Sequence, residues 1–230
     1  MPNNFIYLNI SSHTMAIDFK YDKYNLGDKP SLHLKKLLPL IKEKKINKIL
    51  DFGCGNGRNS FFLKKQGFDI AAIDSAIVID KHKTMFKNAD ISVKSYNINT
   101  TKIPFKPNSF DAIIAWRVLH RGLKGYRQEL KKVLHNLLKY KGYLIVAIST
   151  DKDIKPDENR REHKEIEKNT FEYISKGVKN KRHYYTKEEI LNGSEFPGFK
   201  VISIDQFKEK TGHKEKSYFR YYWRMILQKK

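Results

Sequence analysis

One carboxylate, three closely spaced glycines and one histidine are the residues of this chain whose types and spacing suggest chemistry. The stretch ILDFGCGNGRNSFF (49–62) passes from an apolar run into Gly53, Gly55 and Gly57 within five positions. Stripping side chains there lets a ligand press on the main chain, with N–H groups at the start of the next helix free to bond it. Asp74 closes the following apolar run, FDIAAID (68–74), where a carboxylate can accept both hydroxyls of a ribose. The sixth position of the turn is Arg58, so the pattern is GxGxG and not the dinucleotide fingerprint, and no Gly-Lys-Ser/Thr follows it. A purely structural turn is the competing reading. Further along, WRVLHRG (116–122) brings Trp116, Arg117, His120 and Arg121 together. His120 is the leading candidate for acid/base or substrate-orienting work; the alternative is a histidine opening a surface loop.

The elements that must position these residues alternate in type. SLHLKKLLPLIKEKK (31–45) sets Leu34, Leu37, Leu38 and Ile41 at helical spacing, with Pro39 kinking or splitting the helix. INKILDF (46–52) is a short strand, NGRNSFFLKKQG (56–67) a helix closed by Gly67, and FDIAAID a second strand. A helix over 76–88 leads to the strand ISVKSYN (91–97). The strand FDAIIAW (110–116), the amphipathic helix GYRQELKKVLHNLLKY (125–140) ended by Gly142, and the strand YLIVAIS (143–149) complete the series. Such alternation gives right-handed crossovers and a parallel sheet, and the continuously apolar strands fit burial on both faces.

From 151 to 183 the chain is charged and helix-tolerant, read either as an insertion over the carboxyl edge of the sheet or as a solvated surface segment. Within it, His183, Tyr184 and Tyr185 pack before a short helix, TKEEILNG (186–193), capped by Thr186. GFKVISID (198–205) and KSYFRYYWRMILQ (216–228) are joined by too short a link for a parallel pair, so they form an antiparallel hairpin, with His213 solvated in its loop. Phe219, Tyr221, Trp223, Met225 and Leu227 alternate onto one face of the last strand. The expected fold is therefore α/β, a seven-stranded, mostly parallel sheet with helices on both faces and a C-terminal antiparallel hairpin. One domain is expected: an N-terminal lid and helix (1–45), a ligand-binding core (46–150), the insertion (151–193) and the hairpin (194–230).

Composition sets bounds on function. The 230 residues, 40% hydrophobic and 13% aromatic, suffice for one α/β domain with an ordinary core. No apolar run approaches the roughly 18–20 residues that span a bilayer, and MPNNFIYLNISSHTM lacks the pattern of a secretion signal. The single cysteine, Cys54, excludes an intramolecular disulfide and fits a reducing compartment. A soluble, cytoplasmic protein without a membrane partner is expected. No Cys/His cluster has zinc spacing, so no metal is expected. The formal charge of +21 attracts phosphate backbones. Yet lysines carry it, they are scattered along the chain, and Asn, Ile and Tyr are abundant, which is the bias of an AT-rich coding sequence.

The segment ILDFGCGNGRNSFFLKKQGFDIAAID, with IPFKPNSFDAIIAWRVLH and YKGYLIVAIST, resembles class I S-adenosylmethionine-dependent methyltransferases. GCGNGRNS followed by GFDIAAID is most similar to their small-molecule branch, which includes the tellurite-resistance and thiopurine-like enzymes. The resemblance covers residues 30 to 150 and the terminal hairpin, and it implies a Rossmann-like fold and S-adenosylmethionine as cofactor. By position it implies that Gly53, Cys54, Gly55 and Gly57 shape the loop under the methionine part. Asp51 helps hold the amino group, and Arg58, beside Asn59, faces the carboxylate. Asp74, followed by Ser75, takes the ribose hydroxyls; Asn97 and Ile98 flank the adenine, with Asn99 as an alternative register; and Ala115 and Trp116 border the sulfonium. Asn97 stands where the family usually has an acid, and KYKGY where many relatives have Pro-Gly-Gly. Apart from the resemblance, FKYDKYNLGDKPS is read either as a lid, with Tyr21 or Tyr24 covering the cofactor, or as a segment whose tyrosines simply pack.

Three functions follow as expectations. The first is methyl transfer to a small molecule; the second is an RNA-directed methyltransferase, supported by charge alone; the third is a non-catalytic module that keeps the cofactor fold. No [DNS]-P-P-[YFW] follows the fourth strand, which disfavours methylation of exocyclic amino groups of bases, and one cysteine rules out a two-cysteine C5-cytosine mechanism.

Overall fold

Neighbouring residues of each central strand point to opposite faces of one sheet, and both faces are covered. A computed structural model describes residues 29–96, 103–153, 164–175, 178–213 and 216–230. Its strands are β1 (Lys48–Phe52), β2 (Asp69–Asp74), β3 (Ser92–Ser95), β4 (Phe110–Trp116), β5 (Leu138–Ser149), β6 (Lys164–Glu167), β7 (Thr170–Ser175), β8 (Val178–His183), β9 (Phe199–His213) and β10 (Lys216–Lys229). The helices are α1 (Leu32–Lys35), α2 (Leu38–Glu43), α3 (Arg58–Lys65), α4 (Ala76–Asn88), α5 (Lys124–Leu137) and α6 (Lys187–Leu191).

The seven-stranded sheet has the order β3-β2-β1-β4-β5-β10-β9. The first five strands are parallel, while β10 runs antiparallel to both β5 and β9. This is the expected architecture. On one face, Leu50, Ile113, Val146 and Met225 pack against α5 through Tyr126, Leu130, Val133 and Leu134. On the other, Ile49, Ile114, Ile145 and Ile226 meet Leu34 of α1, Ile41 of α2, Leu63 of α3 and Phe86 of α4. The order reverses direction between β1 and β4, where the carboxyl ends of parallel strands leave the crevice that ligands use.

Pro39 falls in the first turn of α2 and separates it from α1, as its missing N–H requires. Three differences from the sequence-based expectations have local causes. First, α5 ends at Leu137 and β5 begins at once, running through Gly142 rather than starting after it. From Phe110 to Ala112 on β4, the partner on β5 moves from Leu138 to Tyr143, so the chain bulges there. A Cβ on Gly142 would lie 2.8 Å from the Lys139 carbonyl, so glycine serves close backbone approach, not helix termination. Second, β10 is an interior strand, so Tyr222 and Ile226 are buried as fully as Trp223, Met225 and Leu227, while Phe219 is exposed. Third, the charged insertion forms a three-stranded antiparallel sheet, β6-β7-β8, and not a helix.

Candidate active site

The turn after β1 is built from left-handed glycines: φ is 73° at Gly53, 60° at Gly55 and 80° at Gly57. Side chains are excluded twice over, since a Cβ on Gly53 would overlap Val118 and one on Gly57 would lie 2.7 Å from both Phe61 and Phe86. The turn is pinned to β2 through the Ile73 carbonyl, which accepts from Gly53 N–H at 2.9 Å and Cys54 N–H at 3.1 Å.

Asp74 completes the tie. Its Oδ2 accepts from Gly55 N–H at 2.8 Å and its Oδ1 from Ser75 N–H at 2.7 Å. The Ser75 side chain also hydrogen-bonds this carboxylate, which leaves part of its roughly four acceptor positions for a further donor such as a ribose hydroxyl. Burial holds this carboxyl above its ordinary range, opposed by the two N–H groups and by Arg121.

Asp51, in β1, is almost wholly buried, and Ser60 Oγ donates to its Oδ2 at 2.6 Å. Burial pushes its carboxyl up to about 6; the Asp74 charge adds to the effect and the Ser60 hydroxyl opposes it. The Cys54 thiol is buried and its pKa is driven well up by burial and by both aspartates, so it stays protonated and is no nucleophile. Asn59 is turned inward, its Oδ1 accepting from Ser31 N–H at 3.1 Å, so its side chain anchors the chain ahead of α1. Arg58 Nη1 donates to the Lys29 carbonyl at 3.2 Å. Asn97, Ile98, Asn99 and the proposed lid tyrosines, Tyr21 and Tyr24, lie outside the described residues.

At the end of β4, the Ala115 side chain is buried in the α5-side core, so only its backbone is available to a ligand. Trp116 faces the opposite side and stacks on Phe207 at 6.0 Å, which in turn stacks on Tyr222 at 5.4 Å. Among the described residues, the buried Trp116 Nε1 has no hydrogen-bond partner. Arg117 follows with φ 66°, its N–H held by the Ala147 carbonyl and its Nη1 on Glu209 Oε2 at 3.0 Å.

His120 does not open a surface loop. It is 1% exposed, and its Nδ1 has no partner among the described residues. Burial, then Arg182, Arg121 and Arg117, press its pKa well below the usual imidazole value. At neutral pH this ring is uncharged; it can accept a proton only if something offsets the guanidinium charges around it.

The insertion sheet reaches this loop through main-chain bonds. Gly122 N–H donates to the Lys181 carbonyl at 3.1 Å, His183 N–H to the His120 carbonyl at 2.8 Å, and Tyr185 N–H to the Ser149 carbonyl at 2.9 Å. Tyr184 and Tyr185 are fully buried, and the Tyr185 hydroxyl donates to the Leu119 carbonyl at 2.9 Å. The expected cap is present: Thr186 and Glu189 form a reciprocal capping box on α6. Arg182, Tyr173, Tyr222 and Phe207 escape the sequence reading. A signal existed in TFEYI (170–174), whose β-branched and aromatic residues favour a strand over a helix.

Glycine turn, acidic residue closing β2 and the aromatic end of β4 thus share one edge of the sheet. A family model for the tellurite resistance protein TehB matches residues 13–158. The chain belongs to the TehB family. It is 28% identical over 116 residues to the uncharacterized methyltransferase YodH of Bacillus subtilis, covering 49% of this chain and 48% of YodH. It is also 28% identical over 112 residues to TehB of Haemophilus influenzae, a probable S-adenosyl-L-methionine-dependent methyltransferase, covering 45% of this chain and 37% of that protein. The matches therefore span half or less of these TehB-like relatives.

Solved structures carry the fold further. A Pyrococcus horikoshii protein superposes with a TM-score of 0.65 at 20% identity over 86% of this chain and 90% of its own. A Burkholderia thailandensis 1,6-didemethyltoxoflavin-N1-methyltransferase, with bound 1,6-didemethyltoxoflavin and S-adenosylhomocysteine, gives 0.58 at 14% identity over 84% of this chain and 75% of its own. The class I methyltransferase fold expected from the sequence is thereby met.

Proposed function

We propose that this chain is an S-adenosylmethionine-dependent methyltransferase that moves a methyl group in line onto a small-molecule acceptor. The observation that carries this reading is Asp74: a carboxylate at the carboxyl end of β2, bonded to the N–H of the glycine turn. The donor set fits a cationic nucleoside, since two carboxylates, both held up by burial, lie beside bare backbone. Asp74 would take the ribose hydroxyls, Asp51 would favour the amino group, and the Gly53–Gly57 backbone would lie under the methionine part. When bound, the cofactor supplies a methyl group on a sulfonium, a leaving group that needs no acid from the protein. The residues of this chain then have to align the acceptor and exclude water. Trp116, Phe207 and Tyr222 supply an apolar wall at the end of β4, and His120 offers an uncharged imidazole that can orient the acceptor.

The test is direct. S-adenosylhomocysteine titrated into the protein by calorimetry should bind one-to-one, and Gly55→Val should lose that binding with the sheet still folded by circular dichroism. Labelled S-adenosylmethionine with cell extract, split into small-molecule and RNA fractions, should mark the former. Label in the RNA fraction would refute the acceptor class, and absence of binding would refute the cofactor.

A further inference from the structure

Behind His120 the structure holds a guanidinium, that of Arg182, with no carboxylate in ion-pair contact among the described residues. Among the described residues near this loop, the other arginines each have a carboxylate, Arg127 having Glu167 at 3.8 Å. Arg117 is paired with Glu209 at 3.0 Å, Arg220 with Asp153 at 2.9 Å, and Arg121 acts on Asp74. Arg182, on β8, is left over. Its Nε and Nη1 are buried without a hydrogen-bond partner, and its guanidinium rests 5.5 Å from the centre of the Tyr173 ring. Asp153 acts on it, but that carboxylate is already engaged by Arg220 and by Tyr221 N–H at 3.4 Å.

Arg182 as a whole is partly buried, but N–H groups of a guanidinium that are themselves buried and unmet are costly unless the site is completed by a ligand. The same spot holds a second orphan, the Nδ1 of the almost wholly buried His120. Arg182 and His120 belong to touching segments: Arg121 and Arg182 form a β-bridge, and His183 N–H bonds the His120 carbonyl. Around them the surfaces are aromatic. Tyr222 lies 6.4 Å from the His120 ring and 5.2 Å from the Arg117 guanidinium, and it continues through Phe207 to Trp116. Unmet donors beside stacked aromatic rings suit an anionic head on a flat apolar body.

We infer that Arg182 and His120 form an anion subsite that holds the carboxylate of an aromatic acid at the acceptor end of the crevice. The subsite itself follows from the buried donors; only the word acceptor rests on the methyltransferase reading above. In that reading the sulfonium brings one more positive charge to this edge, which a carboxylate offsets and a neutral acceptor does not. The insertion sheet thereby acquires a function: β8 delivers a guanidinium to the loop after β4, beside Arg117 and Arg121, which have carboxylates of their own.

The experiment compares benzoate with its neutral isostere benzamide, and with sulfate, by thermal shift and calorimetry. The full-length protein is used, with and without S-adenosylhomocysteine. Benzoate should stabilise the wild type and bind roughly tenfold or more tighter than benzamide, as one charge-assisted contact requires. Arg182→Met should lose that preference, keep its affinity for S-adenosylhomocysteine, and melt no lower than the wild type without ligand, since it removes an uncompensated charge. Equal binding of benzoate and benzamide, or no binding of either, overturns the inference. So does an Arg182→Met variant that keeps the preference or melts well below the wild type. Sulfate binding as tightly as benzoate overturns the aromatic-acid assignment. Benzoate selectivity without any binding of S-adenosylhomocysteine would uphold the subsite and refute the methyltransferase reading, so the two failures are distinct.

Discussion

Replacing Asp74 tests the site most sharply, because its carboxylate has two tasks that separate experimentally. Asp74→Ala leaves the N–H groups of Gly55 and Ser75, now bonded at 2.8 and 2.7 Å, without their acceptor. Both lie at a half-buried edge, so the expected loss of folding stability is about 1–3 kcal/mol. The same change removes the acceptor for two ribose hydroxyls, weakening S-adenosylhomocysteine by a further 1–3 kcal/mol or so, roughly 5- to 150-fold in Kd. Urea unfolding reads the first task and calorimetry on the folded variant reads the second. A cycle with 2′-deoxy-S-adenosylhomocysteine separates direct contact from a disturbed turn. If Asp74 bonds the sugar, the deoxy ligand binds the wild type more weakly than the normal ligand does, while the Asp74→Asn variant hardly distinguishes the two. Strictly additive losses, or an Asp74→Asn variant with unchanged affinity, would refute the assignment of this carboxylate to the ribose.

Two further outcomes follow from buried charge. Asp51 has a native pKa of about 6 against an ordinary 3.8; between these values the folded state carries more of its proton than the unfolded chain. Its contribution therefore lowers stability as pH rises from about 4 to about 6, by up to about 3 kcal/mol. Urea midpoints should fall across that window in the wild type and more gently in Asp51→Asn; parallel curves would remove Asp51 as the cause. Elsewhere, Lys131 Nζ is buried between Glu195 Oε2 at 2.6 Å and the Glu195 carbonyl at 2.7 Å, 4.5 Å from the centre of the Phe196 ring. Lys131→Met alone should cost about 3–5 kcal/mol by stranding the Glu195 carboxylate, and adding Glu195→Leu should recover most of it; additive losses in thermal unfolding would contradict this.

The features legible in the sequence are those set by short-range geometry. Left-handed backbone at Gly53, Gly55 and Gly57, the break at Pro39 and the capping box at Thr186 each depend on a few adjacent residues. Apolar runs such as FDAIIAW announce strands buried on both faces, because alternate side chains must all find a core. Gly142 was misleading because a glycine that ends a helix and a glycine that admits a neighbouring carbonyl look alike in one dimension. The burial of Tyr222 and Ile226 was not legible, because alternation places Trp223, Met225 and Leu227 on one face but does not say that β10 lies between β5 and β9 with its other face covered too.

The cluster around His120 belongs wholly to the tertiary structure. Arg117 and Arg121 are near it in sequence, but Arg182 arrives on β8, Glu209 on β9, and Asp153 and Arg220 on segments that the pairing of β5 with β10 brings together. Whether a histidine is a solvated loop residue or a neutral ring among guanidiniums depends on burial and on charges many residues distant, and no local pattern encodes either. By itself the sequence determined the parallel sheet, the glycine turn and the acidic residue facing it, since these follow from local periodicity and backbone freedom. The tertiary structure alone decided which charges are buried together and which of them lacks a counterion, because electrostatic balance is a sum over neighbours in space.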